Sequence, residues 1–146
     1  MTRYRELVAD GSTVTPAVRR AVAAAAARVP VAIVSGASAA EIRPVIAAAR
    51  LEEVFATVVT SDDVRHGKPH PEGYEIARAR LDGLAPGLRA AEVTVLEDTE
   101  AGVAAAKAAG MRCLAVGRTL AADRLAAADE IVPGIDRALI ERVLAA

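Results

Sequence analysis

Val31-Ala32-Ile33-Val34-Ser35-Gly36-Ala37-Ser38 is the stretch that decides the fold of this chain. Four consecutive apolar residues without alternation suit a short strand buried on both faces, as in a parallel sheet. Ser35-Gly36 ends the run, and Ser38 is placed to cap a helix over 39–49. Downstream the same unit repeats. A strand over 55–60 leads into the irregular segment 61–71 and a helix over 72–81. A third strand over 93–96 ends in Glu97-Asp98 and is followed by a helix over 100–109, closed by Gly110 as a left-handed cap. A fourth strand over 112–116, a short helix over 121–127, a strand stub at 131–132 and a helix over 135–144 complete the pattern. Upstream, Thr15-Pro16 is a helix start, with Thr15 as N-cap and Pro16 at the first helical position, and this helix reaches about residue 28. A short helix over 2–9 precedes a break at Asp10-Gly11. Strands alternating with helices predict an α/β fold, a Rossmann-like parallel sheet with flanking helices and right-handed crossovers.

Composition narrows the function classes. The 146 residues carry 18 basic and 19 acidic side chains, a formal net charge of −1, which gives no electrostatic footprint for nucleic acid or an anionic membrane. Alanine supplies roughly a quarter of the chain, against ordinary usage near a tenth or less, and aromatics are 2%. The core must therefore be built from small aliphatic side chains. Cys113 is the one cysteine, so an intrachain disulfide and a thiolate metal site are excluded; in a strand it reads as a small buried hydrophobe. Sixteen of the 18 basic residues are arginine; Lys68 and Lys107 are the two lysines. The charged N-terminus has no apolar signal segment behind it, and a cytoplasmic location is the expectation.

In an open parallel sheet, ligands bind beyond the carboxyl ends of the strands. Three polar groups fall at such ends: Ser35-Gly36, the loop carrying Lys68, and Glu97-Asp98. A hydroxyl with adjacent backbone N–H groups suits a phosphate oxygen, a lysine adds a point charge, and paired carboxylates suit a hard cation such as Mg²⁺. Together they are the parts of a phosphoryl-transfer site. Each also has a plainer role: Ser35 as a strand end, Asp98 as a helix N-cap, Lys68 as a solvated loop residue. His66 and His70 have no spacing partner and read as surface residues. A dinucleotide fingerprint is missing after the first strand, and Gly67-Lys68 is followed by Pro69 rather than by the hydroxyl of a nucleotide P-loop. Nor does an apolar strand end at Lys68, as a receiver domain would require.

Three stretches, in order, resemble the haloacid dehalogenase superfamily, in particular its phosphatases and β-phosphoglucomutase-like members. Residues 31–38 are similar to the second motif, whose hydroxyl binds the transferring phosphoryl group. Gly67-Lys68-Pro69-His70-Pro71-Glu72-Gly73-Tyr74 is similar to the third, whose lysine stabilises nucleophile and phosphate. Residues 95–111, opening Val95-Leu96-Glu97-Asp98-Thr99, are similar to the fourth. The resemblance implies phosphate binding by Ser35, Gly36 and Lys68, with Lys68 also catalytic. It implies Mg²⁺ as cofactor, with Glu97 and Asp98 as its ligands, and a small phosphorylated metabolite as substrate.

The family's first motif, Asp-x-Asp-Gly-Thr or Val, is not found. It supplies the nucleophilic aspartate and the general acid/base from a strand central to the sheet, between the strands at 31–34 and 93–96. Val8-Ala9-Asp10-Gly11-Ser12-Thr13-Val14 aligns only in its second half, with valine in the nucleophile's place. Residues 1–15 are accordingly expected to be a remnant of cap helix and linker, and 16–146 the core. The expectation is a phosphohydrolase domain that turns over poorly or not at all by itself. Its alternatives are one half of a split phosphatase or mutase, completed by another chain or by a homodimer, and a non-catalytic domain that binds phosphate metabolites.

Overall fold

The computed structural model describes residues 14–117 and 122–145. The expected helix over 2–9, the Asp10-Gly11 break and most of the partial match at 8–14 lie outside them. The described elements are α1 (Pro16–Ala26), β1 (Ala32–Val34), α2 (Ala39–Ala48), β2 (Thr57–Val59), α3 (Glu72–Asp82), β3 (Thr94–Glu97), α4 (Glu100–Ala108), β4 (Arg112–Val116), β5 (Glu130–Val132) and α5 (Arg137–Ala145). Short 3₁₀ turns occupy Ser61–Asp63, Ala90–Glu92 and Ala122–Leu125. The last of these replaces the expected helix over 121–127. Leu125 is fully buried, and the turn closes within four residues on the way into β5.

Among the described residues all strand pairs are parallel, but they form two ladders rather than one. β1 pairs with β2 in the register Ile33 to Val58, and β3–β4–β5 run side by side with Val95 opposite Cys113 and Ala115 opposite Ile131. β1 and β3 share no ladder. The division falls where the superfamily's central strand is expected. The two ladders nevertheless belong to one three-layer structure. Successive residues of β3 point to opposite faces: Val95 joins Tyr74, Val103 and Met111 beneath α3 and α4, whereas Leu96 packs with Val31, Ala21, Ala25 and Ile140 against α1 and α5.

Local chemistry accounts for the helix ends. Thr15 accepts the Val18 N–H at 3.2 Å, and Ser38 forms a capping box with Glu41. Gly110 ends α4 at φ 78°, a conformation that costs glycine nothing. In a chain so poor in large side chains, α1 and α5 approach through Ala21, which is fully buried.

Cys113 is fully buried in β4. Burial, then the charges of Glu97 and Asp129, push its thiol up to about 12. The folded chain should therefore resist thiol reagents at about pH 8 and react only as it unfolds. The unfolded thiol ionises near 9, so the stability conferred by the buried neutral thiol is present below that pH and is lost as pH rises toward 12. Denaturant midpoints measured across this window should fall further for the wild type than for Cys113→Ala.

Candidate functional site

The carboxyl ends of β1 and β3 meet at Lys68. Its ammonium donates to the Val34 carbonyl at 3.1 Å and to the Glu97 carboxylate, so one side chain spans the division between the two ladders. The Lys68 side chain is 9% exposed and that of Glu97 is 5% exposed. A solvated loop lysine this is not. Tyr74, from the first turns of α3, donates its hydroxyl to the same Glu97 oxygen at 2.5 Å and sets its ring 5.2 Å from the Lys68 nitrogen.

Glu97 lies on the face of β3 that meets α4, where Gly102 gives it room. A Cβ at residue 102 would fall well inside van der Waals contact of the Glu97 carboxylate. The sequence places a glycine one turn into a helix because the carboxylate occupies the space a methyl would take.

Asp98 answers the plainer reading of itself. The N-cap of α4 is Thr99, whose hydroxyl accepts the Gly102 N–H at 3.0 Å. Asp98 is 6% exposed, and both its carboxylate oxygens are buried with no hydrogen-bond partner among the described residues. Burial, and then the neighbouring Glu97 charge, push its carboxyl above the usual carboxylate range. A buried, unpartnered carboxylate is costly unless something fills the vacant coordination. Two carboxylates here face one ammonium, an oxygen-rich and anionic donor set of the kind a hard divalent cation takes. The residues present therefore fit Mg²⁺.

Ser35 completes the corner. It is 5% exposed; its N–H donates to the Val59 carbonyl at 2.9 Å, and its Oγ accepts the Ala37 N–H at 3.0 Å. That contact uses the oxygen as acceptor and leaves the O–H as the donor for an incoming oxyanion. Gly36 follows, half-buried, at the turn into α2. Ser35, Gly36, Lys68, Glu97 and Asp98 thus converge from three strand ends on one corner of the molecule. Beside it, Thr60 is buried and bonded through both its N–H and its hydroxyl to Asp63, and Asp62 accepts the Ala39 N–H at 2.9 Å, tying this turn to α2.

A family model for haloacid dehalogenase-like hydrolases matches residues 2–110. This chain belongs to that family. Among curated relatives, it is 38% identical over 80 residues to validoxylamine A 7'-phosphate phosphatase of Streptomyces hygroscopicus subsp. limoneus, covering 55% of this chain and 35% of the relative. It is 36% identical over 118 residues to hexitol phosphatase A of Escherichia coli, covering 80% of this chain and 51% of the relative. The crystal structure of CbbY from Rhodobacter sphaeroides in complex with phosphate superposes with a TM-score of 0.69 at 26% identity, over 82% of this chain and 53% of that one. The chain thus spans about half or less of the length of the curated relatives it matches.

Two residues that shape this corner, Tyr74 and Gly102, lie within the stretches 67–74 and 95–111 without a role assigned to them from the sequence. Both had a signal. Tyr74 is one of three aromatic residues in the chain, and Gly102 sits in the interior of an otherwise alanine-rich helix, where glycine is disfavoured. The histidines also need correcting. His66 and His70 are exposed, as expected, but they are not without partners: their rings stack, and His66 bonds to Glu72. No helix among the described residues is long and apolar enough to cross a membrane.

Proposed function

We propose that this chain is the phosphate- and Mg²⁺-binding portion of a phosphatase site for small phosphate monoesters of the sugar or polyol class. The observation that carries the proposal is the pairing of an orphaned buried carboxylate, Asp98, with the Lys68 bridge at the carboxyl ends of β1 and β3. Glu97 and Asp98 would hold the cation, which when bound neutralises charge on the phosphoryl oxygens. The Ser35 hydroxyl and the backbone at Gly36 would donate to phosphate oxygens, and the Lys68 ammonium would sit over the phosphoryl group as a point charge. Tyr74 orients Glu97. Relatives acting on a validoxylamine phosphate and on a hexitol phosphate, and a fold neighbour solved with phosphate, support the substrate class.

The reaction also needs a carboxylate nucleophile, and the motifs at 31–38, 67–74 and 95–111 do not supply one. The division between β1 and β3 is the place for it. Among the described residues β1 is paired only with β2, and β3 only with β4, so each offers an edge on which a further parallel strand can form. A strand from a complementing chain, or from a second copy of this one, would reach that edge with its carboxyl end beside Lys68.

Hydrolysis of a panel of sugar and polyol phosphates, with and without Mg²⁺, tests this reading. The chain alone should bind inorganic phosphate in the presence of Mg²⁺ and lose that binding in Asp98→Ala, while giving no Mg²⁺-dependent turnover. Turnover by the chain alone, abolished in Asp98→Ala, would overturn the need for an added strand. Absence of phosphate binding would overturn the site itself.

A further inference from the structure

The loop that carries Lys68 holds a second cluster of side chains, which the proposed reaction does not use. A ring nitrogen of His66, one of His70 and a carboxylate oxygen of Glu72 lie within 4.8 Å of one another. The two imidazoles stack with centroids 4.7 Å apart and 28° between their planes. We propose that His66, His70 and Glu72 form a site for a divalent cation of the zinc class, distinct from the Glu97–Asp98 pair.

The donor set decides the class of ion. Two imidazole nitrogens and one carboxylate oxygen suit Zn²⁺, Co²⁺, Ni²⁺ or Cu²⁺, whereas Mg²⁺ prefers oxygen alone. Glu72 is already oriented from behind. One of its oxygens accepts the Arg65 N–H at 2.9 Å and the other the His66 N–H at 3.0 Å, the kind of outer hydrogen bonding that fixes a ligand carboxylate. His70 lies between Pro69 and Pro71, whose rings fix φ on either side, and its own N–H donates to the Gly67 carbonyl at 3.0 Å.

Little has to move. Tetrahedral ligands about 2.1 Å from a zinc-class ion stand about 3.4 Å apart, so the widest pair, at most 4.8 Å apart here, must close by up to about 1.4 Å. The His66 side chain, 65% exposed, can swing that far without disturbing the core. His66 Nδ1 and a Glu72 oxygen are now 3.1 Å apart across a shared proton. The ion takes that proton's place, and the proton leaves to buffer. His70 Nδ1, which now accepts the Glu72 N–H at 3.1 Å, turns its lone pair to the ion. Three protein ligands leave the fourth position to water.

Titration of the full chain with Zn²⁺, followed by heat, and with Co²⁺, followed by its visible absorption, tests the proposal in buffer containing excess Mg²⁺. One zinc-class ion should bind per chain, and Asp98→Asn should bind it equally well. His66→Ala and His70→Ala, both at exposed positions and expected to melt as the wild type does, should each bind at least about tenfold more weakly. Uptake by both histidine variants at wild-type affinity, or no uptake by the wild type, would overturn it. Because the Mg²⁺ site is read separately through Asp98→Asn, failure of one site does not imply failure of the other.

Discussion

Lys68→Met is expected to lower the melting temperature in Mg²⁺-free buffer by about 10–15 °C, corresponding to a loss of about 3–5 kcal/mol. The pair it breaks is nearly excluded from solvent on both sides. Removing the ammonium leaves Glu97 buried with only the Tyr74 hydroxyl and the Asp98 and Thr99 side of the turn, next to a second carboxylate that already has no partner. It also strips the Val34 carbonyl of its donor at the edge of β1. Methionine keeps the volume of the chain, so packing loss is a minor part of the effect. The control is a double-mutant cycle: in a Glu97→Gln background the same substitution should cost far less, because no charge is then stranded. Thermal unfolding followed by circular dichroism measures all four proteins. A loss of under about 1 kcal/mol would mean that the pair behaves like a surface ion pair.

Gly102→Ala should have the opposite profile, with small stability change and large loss of ligand binding. Alanine in a helix interior gains about 0.5–1 kcal/mol over glycine, which works against the cost of the clash. The atoms in the way are the carboxylate group of Glu97, the end of a flexible side chain, so the fold can accommodate the methyl by moving them. That movement shifts the Glu97 carboxylate from its place beside Asp98, while the flexible Lys68 side chain follows it and keeps the ion pair. Mg²⁺ affinity should therefore fall by about a hundredfold, while the melting temperature in the absence of ligand moves by only a few degrees. Calorimetric titration of Mg²⁺ into the variant checks it. Unchanged affinity would show that Glu97 reaches the cation from elsewhere.

Much of this was legible in the sequence, for identifiable reasons. The strands at Val31–Val34 and 112–116 could be read because a buried parallel strand shows as an apolar run, in the second case Cys113 to Val116 after Arg112, and Thr15, Ser38 and Gly110 marked helix ends because their chemistry is local. The two lysines stood out in a chain whose other basic residues are arginine. In the structure each serves several acceptors at once: Lys68 at Val34 and Glu97, Lys107 at the Met111 carbonyl and both oxygens of Asp129. A compact ammonium with three donors suits such a cage better than a planar guanidinium does. The sequence could not show that Asp98 caps nothing, since Asp98 and Thr99 are both good capping residues and only backbone geometry chooses between them. Nor could it show that Gly102 makes room for Glu97, or that His66, His70 and Glu72 gather across two prolines. Those are contacts between side chains that no periodicity records. The two ladders of the described residues divide where the family's pattern sets a central strand, an expectation that needed that pattern rather than the residues alone.

The central claim is that Asp98 and Glu97 form a cation site, and the most direct test is thermal unfolding of the wild type and Asp98→Asn with and without Mg²⁺. At about a hundred times its dissociation constant, an ion that binds only the folded chain adds about 2.7 kcal/mol, so the wild type should melt several degrees higher in Mg²⁺. Without Mg²⁺, Asp98→Asn should melt at or above the wild type, since it removes a buried charge that has no partner, and it should gain nothing from the ion. A wild type indifferent to Mg²⁺, or an Asp98→Asn variant stabilised as much as the wild type, would contradict the account.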